Sequence, residues 1–190
     1  MLDFNLERLQ GQIAAIQGCL TQAAAGDLAP EPLPTGTWIW YPEEDPTGTA
    51  ETGWCYFFRE FELDETPVFA ELKYWIDDKG RVYLNGKRLG LARYSRPPLE
   101  YRVHPHLKKG KNVIAVSGYN GLGAAGLLLD LHMEFMGRPP ERITGDAQWK
   151  VARFDETPEN WPGVQPAGPE WKPVKLLGQG LVKPWDFIDW

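Results

Sequence analysis

Residues 69–90, FAELKYWIDDKGRVYLNGKRLG, constrain the fold more than any other stretch of the chain. Ala70, Leu72, Tyr74 and Ile76 alternate with Glu71, Lys73, Trp75 and Asp77, which is the period of a strand with one buried face. Asp78, Lys79 and Gly80 read as a turn, because Gly accepts positive φ and Asp bonds its own backbone. Val82 and Leu84 then return inward, and Asn85 with Gly86 is the dipeptide that best fits a two-residue hairpin loop. The pattern predicts two successive antiparallel turns with polar groups gathered at them.

The remaining segments carry the same period. Residues 37–41 read as a first strand, and 42–53 as an acidic loop that lacks calcium-ligand spacing. In WCYFFREFEL, 54–63, the alternation is imperfect, which predicts a bulge or burial on both faces. Arg59 falls on its inner parity, where an Arg pairs with a carboxylate or lines a groove. A short strand at 99–103 ends at His104 and His106, read as turn residues rather than metal ligands. Residues 112–120 read as a buried strand. Residues 121–126, GLGAAG, spell G-x-G-x-x-G, but a dinucleotide loop requires a helix next. Leu127, Leu129, Leu131 and Met133 instead alternate with Leu128, Asp130, His132 and Glu134, which predicts a strand. A turn over 137–140 and a strand within 143–154 follow. The tail is rich in Pro, Gly and Trp, and Trp161, Trp171, Trp185 and Trp190 are expected to pin it by burying their rings. The apolar groups of 187–190 should likewise be covered, either by the domain or by another chain.

Several phrases together resemble one family. A strand ending in Asp77 and Asp78, then YLNGK at 83–87, LKKGKNVIAV at 107–116, DAQWKV at 146–151, and WKPV at 171–174 before Leu177 and Gly178 stand in order. They resemble the galactose-binding-like jelly-roll domains that accompany bacterial α-L-rhamnosidases and family 2 glycoside hydrolases. The resemblance runs from about Trp38 to about Trp185. It implies an all-β jelly-roll β-sandwich whose tail wraps the sheets, with hydrolysis carried by a separate barrel domain.

Ahead of the sandwich, Leu2, Leu6, Leu9, Ile13, Ile16 and Leu20 form an a/d seam. An isolated helix this short is marginal in water, so it must dock. It either packs on its own domain or serves as a short coiled coil or docking helix for a partner chain. The expected organisation is an amphipathic helix over 1–25, a Pro-rich linker over 26–36 and the sandwich over 37–190.

Function narrows by exclusion. A net charge of −6 argues against nucleic acid, and the basic runs, Lys108 to Lys111 and Lys87 with Arg88, read as solvated turns. No secretory signal and no apolar run near the ~20 residues of a membrane helix is visible. Cys19 and Cys55 suggest no disulfide framework and are expected to be reduced, Cys55 as a small buried hydrophobe. No nucleophile elbow, zinc spacing or P-loop appears, and Asp77 and Asp78, as strand neighbours, are expected to face opposite ways. The expectation is a non-enzymatic chain without a cofactor, structural calcium being unsupported by spacing. The leading reading is carbohydrate recognition through Trp75, Asp77, Asp78, Arg81, Asn85, Tyr119 and Asn120, displayed by an oligomer. The alternative is an assembly subunit that docks partner proteins through the helix and the aromatic tail.

Overall fold

Alternation of apolar and polar side chains folds the described residues into twelve strands in two stacked antiparallel sheets. The computed structural model describes residues 36–93, 98–154, 161–162 and 171–187. These belong to one compact unit, Leu33–Trp190. The expected helix over 1–25 with its leucine seam, Cys19, the linker up to residue 35, and Trp190 lie outside the described residues.

In chain order the strands are β1 (Thr37–Trp40), β2 (Gly53–Leu63), β3 (Phe69–Asp77), β4 (Lys79–Leu84), β5 (Lys87–Arg93), β6 (Leu99–Arg102), β7 (Gly110–Asn120), β8 (Gly126–Phe135), β9 (Arg138–Thr144), β10 (Lys150–Arg153), β11 (Lys172–Pro173) and β12 (Lys175–Gln179). The first sheet runs β12-β1-β8-β3-β6, and β9 takes the edge of β8 that β1 leaves. The second runs β11-β10-β2-β7-β4-β5.

Inward parities meet between the sheets. Leu127, Leu129, Leu131 and Met133 of β8 face Phe57 of β2, Ile114 and Val116 of β7 and Val82 and Leu84 of β4 in one core. The residues after the glycine-rich stretch therefore form a strand, and a nucleotide-binding βαβ unit is absent from the described residues. Cys55 is buried in this core, as expected of a small hydrophobe, and burial pushes its thiol pKa up to about 11.

Two expectations about connections are corrected, and of the two alternatives for β2 burial on both faces is the one that holds. Asp78 does not turn a hairpin: β3 pairs β6 and β8 in one sheet, whereas β4 pairs β5 and β7 in the other. The chain crosses between layers there, a step that local periodicity cannot reveal. β2 has no bulge, because its register with β7 is continuous from Gly53↔Asn120 to Leu63↔Gly110. Its mixed pattern comes from burial on both faces, with Tyr56 and Phe58 covered from outside by Trp171 and Trp161. Pro139 and Pro140 lie inside β9, and the 143–154 stretch is split between β9 and β10, which belong to different sheets. Pro is tolerated in β9 because that strand has β8 on one side only.

The predicted hairpin at Asn85 and Gly86 does form. Both residues have positive φ, 49° and 80°, and join the paired ends Leu84 and Lys87. His104–His106 is a 3-10 turn. Of the tail rings, Trp171 and Trp185 are buried and Trp161 is half-buried, and Phe187 is 60% exposed on this chain.

Candidate functional site

One end of the sandwich collects most of the polar residues singled out from the sequence. It is built where β3 hands over to β4, where β7 ends, and where the 42–52 and 121–125 loops meet. Asp77 pairs with Gly126 across β3 and β8, and Lys79 pairs with Tyr119, itself opposite Trp54. Asp78, Lys79, Tyr119 and Asn120 are thereby brought together.

Asp77 is 5% exposed and accepts a hydrogen bond from Trp185 Nε1 at 3.1 Å. Burial pushes its carboxyl up to about 7; the Trp185 bond opposes the shift, while the adjoining Asp78 carboxyl adds to it. Asp77 turns inward to Trp185 Nε1, whereas Asp78 turns to the Gly121 N–H. The alternation rule stops at Asp77, because the backbone leaves the sheet there.

Asp78 is half-buried, and its Oδ2 accepts the Gly121 N–H at 2.7 Å. Its own N–H donates to the Tyr119 carbonyl at 3.0 Å. The Asp78 carboxylate thus anchors the start of the 121–125 loop, with help from Thr52 Oγ1, which donates to the Gly121 carbonyl at 2.8 Å. Asn120 is fully buried, and its Nδ2 donates to the Ala50 carbonyl at 2.9 Å. Its Oδ1 has no partner among the described residues. At the loop tip Leu122 is 87% exposed.

Behind this end lies a tryptophan cluster. Trp38 stacks on Trp185 with centroids 4.2 Å apart, and meets Trp75 edge-on at 5.4 Å. The close approach needs Gly126, where an added Cβ would lie 2.6 Å from the Trp185 ring. Trp75 is 1% exposed, so it belongs to this cluster and presents no ring face to solvent.

Asn85 is also elsewhere, at the opposite end of β4, roughly 20 Å away for six residues at about 3.3 Å each. Its Nδ2 donates to the His106 carbonyl at 2.7 Å and to Asn112 Oδ1 at 2.8 Å, and its Oδ1 accepts from Val113 N–H at 2.9 Å. Arg81 points outward on β4, 5.7 Å from the Trp54 centroid. Lys79 Nζ stands 4.4 Å above Tyr119 and 5.8 Å above Trp54. Lys79, Trp54 and Leu122 were not singled out from the sequence; only the strand order β2-β7-β4 makes the first two neighbours.

Two shallow clefts lie outside this cluster. The first, about 470 Å³, is lined by Glu43, Glu44, Asp45, Thr49 and Glu51. Glu43 and Glu51 are tied to Arg153, and no cluster of metal-ligating side chains occurs among the described residues. The second, about 460 Å³, contains Arg59 with Phe61, Glu62, Lys111 and Gln148. Arg59 both lines it and contacts Asp146 at 3.5 Å, so each of its two anticipated roles is present. No helix among the described residues is long and apolar enough to cross a membrane.

Comparisons with known proteins agree on the architecture. No protein-family model matches the chain. It is 27% identical over 185 residues to an α-L-rhamnosidase of Streptomyces avermitilis, a match covering 90% of this chain and 18% of that protein. The crystal structure of the Streptomyces avermitilis enzyme complexed with L-rhamnose superposes with a TM-score of 0.73 and 25% identity, over 80% of this chain and 15% of that one. The apo lectin of Pleurotus ostreatus gives 0.71 and 25%, over 82% of this chain and 45% of the lectin. The same lectin in complex with GalNAc gives 0.70 and 24%, over 80% and 46%. The chain therefore spans less than a fifth of the rhamnosidase and under half of the lectin. Its sandwich is similar to the galactose-binding-like jelly-roll domains of α-L-rhamnosidases, as the sequence resemblance implied.

Proposed function

We propose that this chain is a non-catalytic carbohydrate-binding module whose site is the Asp78 end of the sandwich. The observation that carries the reading is the meeting there of a half-buried carboxylate, Asp78, an exposed ammonium, Lys79, and an exposed apolar tip, Leu122. Sugars need this combination: fixed acceptors and donors for hydroxyls, and an apolar surface under the C–H groups. Asp78 is held by Gly121, and Lys79 by the Tyr119 and Trp54 rings, so both groups are oriented in advance. Asp77 and Asn120 act beneath them as supports. Trp75 and Asn85 are left out, since one is sealed in a core and the other saturated at the far end.

A binding rather than hydrolytic role is supported by the share of the rhamnosidase that the chain spans, 18%, and by the burial of Asp77 beside Asp78. No cofactor is assigned. Titration calorimetry with a monosaccharide panel that includes L-rhamnose and N-acetylgalactosamine tests the site. A binding isotherm that Asp78→Ala abolishes is the expected result; flat heats for every sugar at millimolar concentration overturn it.

The leucine seam from Leu2 to Leu20 supports a further part of the reading: display of the module through an oligomerising or docking helix. Light scattering on the chain with and without residues 1–34 decides this. A monomer in both cases removes self-assembly.

A further inference from the structure

The outer face of the second sheet concentrates positive charge on a protein of net charge −6. On β4 the outward positions are Lys79, Arg81 and Tyr83, because Gly80, Val82 and Leu84 face the core. On β5, Arg93 lies opposite Lys79 and Arg88 opposite Tyr83, so both share that outward side. Neither strand contains a single Asp or Glu. Among the described residues none of these four cations has an ion-pair partner, although Arg59, Lys73, Lys111, Arg138, Arg142 and Arg153 all do. Among the described residues the acids on this face, Glu60 and Glu62, stand at the far end of β2, and Glu60 is bound to Lys111.

Aromatic rings fix the arrangement. Lys79 lies over Tyr119, Arg81 over Trp54, and Trp161 closes one side, 6.4 Å from Tyr83. Four unpaired cations on two adjacent strands make an electropositive strip contiguous with the Asp78 end, since Lys79 follows Asp78 directly.

We propose that this strip binds an acidic glycan, one whose chain carries carboxylate or sulfate groups, alongside the sugar held at the Asp78 end. Charge complementarity selects the class: guanidinium groups pair bidentately with carboxylate or sulfate oxygens. The neutral sugars of the first site need no such strip. Nucleic acid is the less favoured occupant, because the strip adjoins the Asp78 end, which is read as a sugar site, and the oligonucleotide is therefore one arm of the test. The inference rests on the reading of the chain as a glycan-binding module, and the following experiment separates the two.

Binding of the full chain to polygalacturonate, its methyl ester, dextran sulfate and oligodeoxythymidylate is measured at low and at 0.5 M salt, and the monosaccharide titration is repeated on the same sample. Tight binding to polygalacturonate or dextran sulfate, lost at high salt and absent with the methyl ester, supports the strip. The tighter of the two polymers tells carboxylate from sulfate. The double variant Arg88→Glu/Arg93→Glu should bind at least about tenfold more weakly, since two charge-assisted contacts become repulsive. Lys108→Glu/Lys109→Glu makes the same change in net charge at the far end and should alter affinity less than about twofold. Equal loss in both variants, equal binding of the methyl ester, or tighter binding of the oligonucleotide overturns the proposal. Monosaccharide heats without polyanion binding sink the strip alone; loss of both sinks the module reading as well.

Discussion

The two ends of β4 use similar polar residues for opposite purposes. At the far end Asn85 and Asn112 form a closed set. Asn112 is fully buried; its Oδ1 accepts from Asn85 and from the Lys108 N–H, and its Nδ2 donates to the Lys108 and Gly110 carbonyls. At the near end the set is open. Among the described residues Asn120 Oδ1 has no partner and Lys79 has no carboxylate opposite, and Asp77 is a buried acid with an elevated pKa. A saturated network contributes stability and is chemically finished. At the near end the half-buried Asp78 and exposed Lys79 keep hydrogen-bonding capacity that a ligand can use, while the buried supports beneath them are held at some expense to the fold.

The sharpest break of this contrast is Asn112→Ala. It strands Asn85 Nδ2 and several backbone groups in a buried site, so it should destabilise by about 2–4 kcal/mol. That corresponds to roughly a 5–15 °C fall in Tm for a domain of this size. Sugar affinity at the other end should be unchanged below the transition. Loss of binding at temperatures where the variant is folded would show that the two ends are not independent.

Next in size is the pH dependence of Asp77→Asn. The wild-type carboxyl titrates near 7 when folded but near 3.8 when unfolded. Between these values the folded state holds the extra proton, so stability falls as pH rises from about 4 to about 7 and is level above that. Asp130, also raised by burial against the pull of Arg142, adds a slope of the same sign. Asn keeps an acceptor for Trp185 Nε1 and removes the charge. The variant should therefore exceed wild type by roughly 1–3 kcal/mol at pH 8 and match it below pH 4. Denaturant melts across that range measure the difference; a constant gap would rule out titration of Asp77 as its source.

Much of the fold was legible because burial enforces side-chain period. Leu127, Leu129, Leu131 and Met133 announced β8, and Asn85 with Gly86 announced the hairpin. What escaped was set by neighbours remote in sequence. Tyr56 and Phe58 look like surface positions until Trp161 and Trp171 cover them. Asp78 looks like a hairpin turn until β3 and β4 are seen in different sheets. Site residues divided the same way. Asp77, Asp78, Tyr119 and Asn120 meet at one end, whereas Trp75 is claimed by Trp38 and Trp185, a contact across more than a hundred residues. The unpaired cations were hidden because local sequence shows Lys87 and Arg88 as a charged turn, while β4-β5 pairing aligns Arg88, Arg93, Lys79 and Arg81 on one face.

A smaller effect distinguishes the roles inside the near end. Asp78→Ala removes both an outward acceptor and the anchor of Gly121, whereas Asp78→Asn keeps an acceptor for that N–H. If the carboxylate contacts a sugar hydroxyl directly, Asn should lower affinity by about tenfold, or roughly 1.4 kcal/mol, and Ala by more. Equal affinity for Asn and wild type would reduce Asp78 to an anchor of the 121–125 loop.

The least change is expected from Leu122→Ser. At 87% exposure this side chain contributes little to folding, and its replacement should shift stability by less than about 0.5 kcal/mol. If the tip lies under a sugar ring, losing its apolar surface should weaken binding by a factor of roughly two to five. The variant matters because its two readouts diverge: a fall in affinity with an unchanged melting curve places the loop tip in contact with ligand. An unchanged affinity would move the apolar part of the site from Leu122 to the Trp54 and Tyr119 rings. At the opposite end Asn85 offers no such test, because its side-chain amide already bonds to His106, Asn112 and Val113.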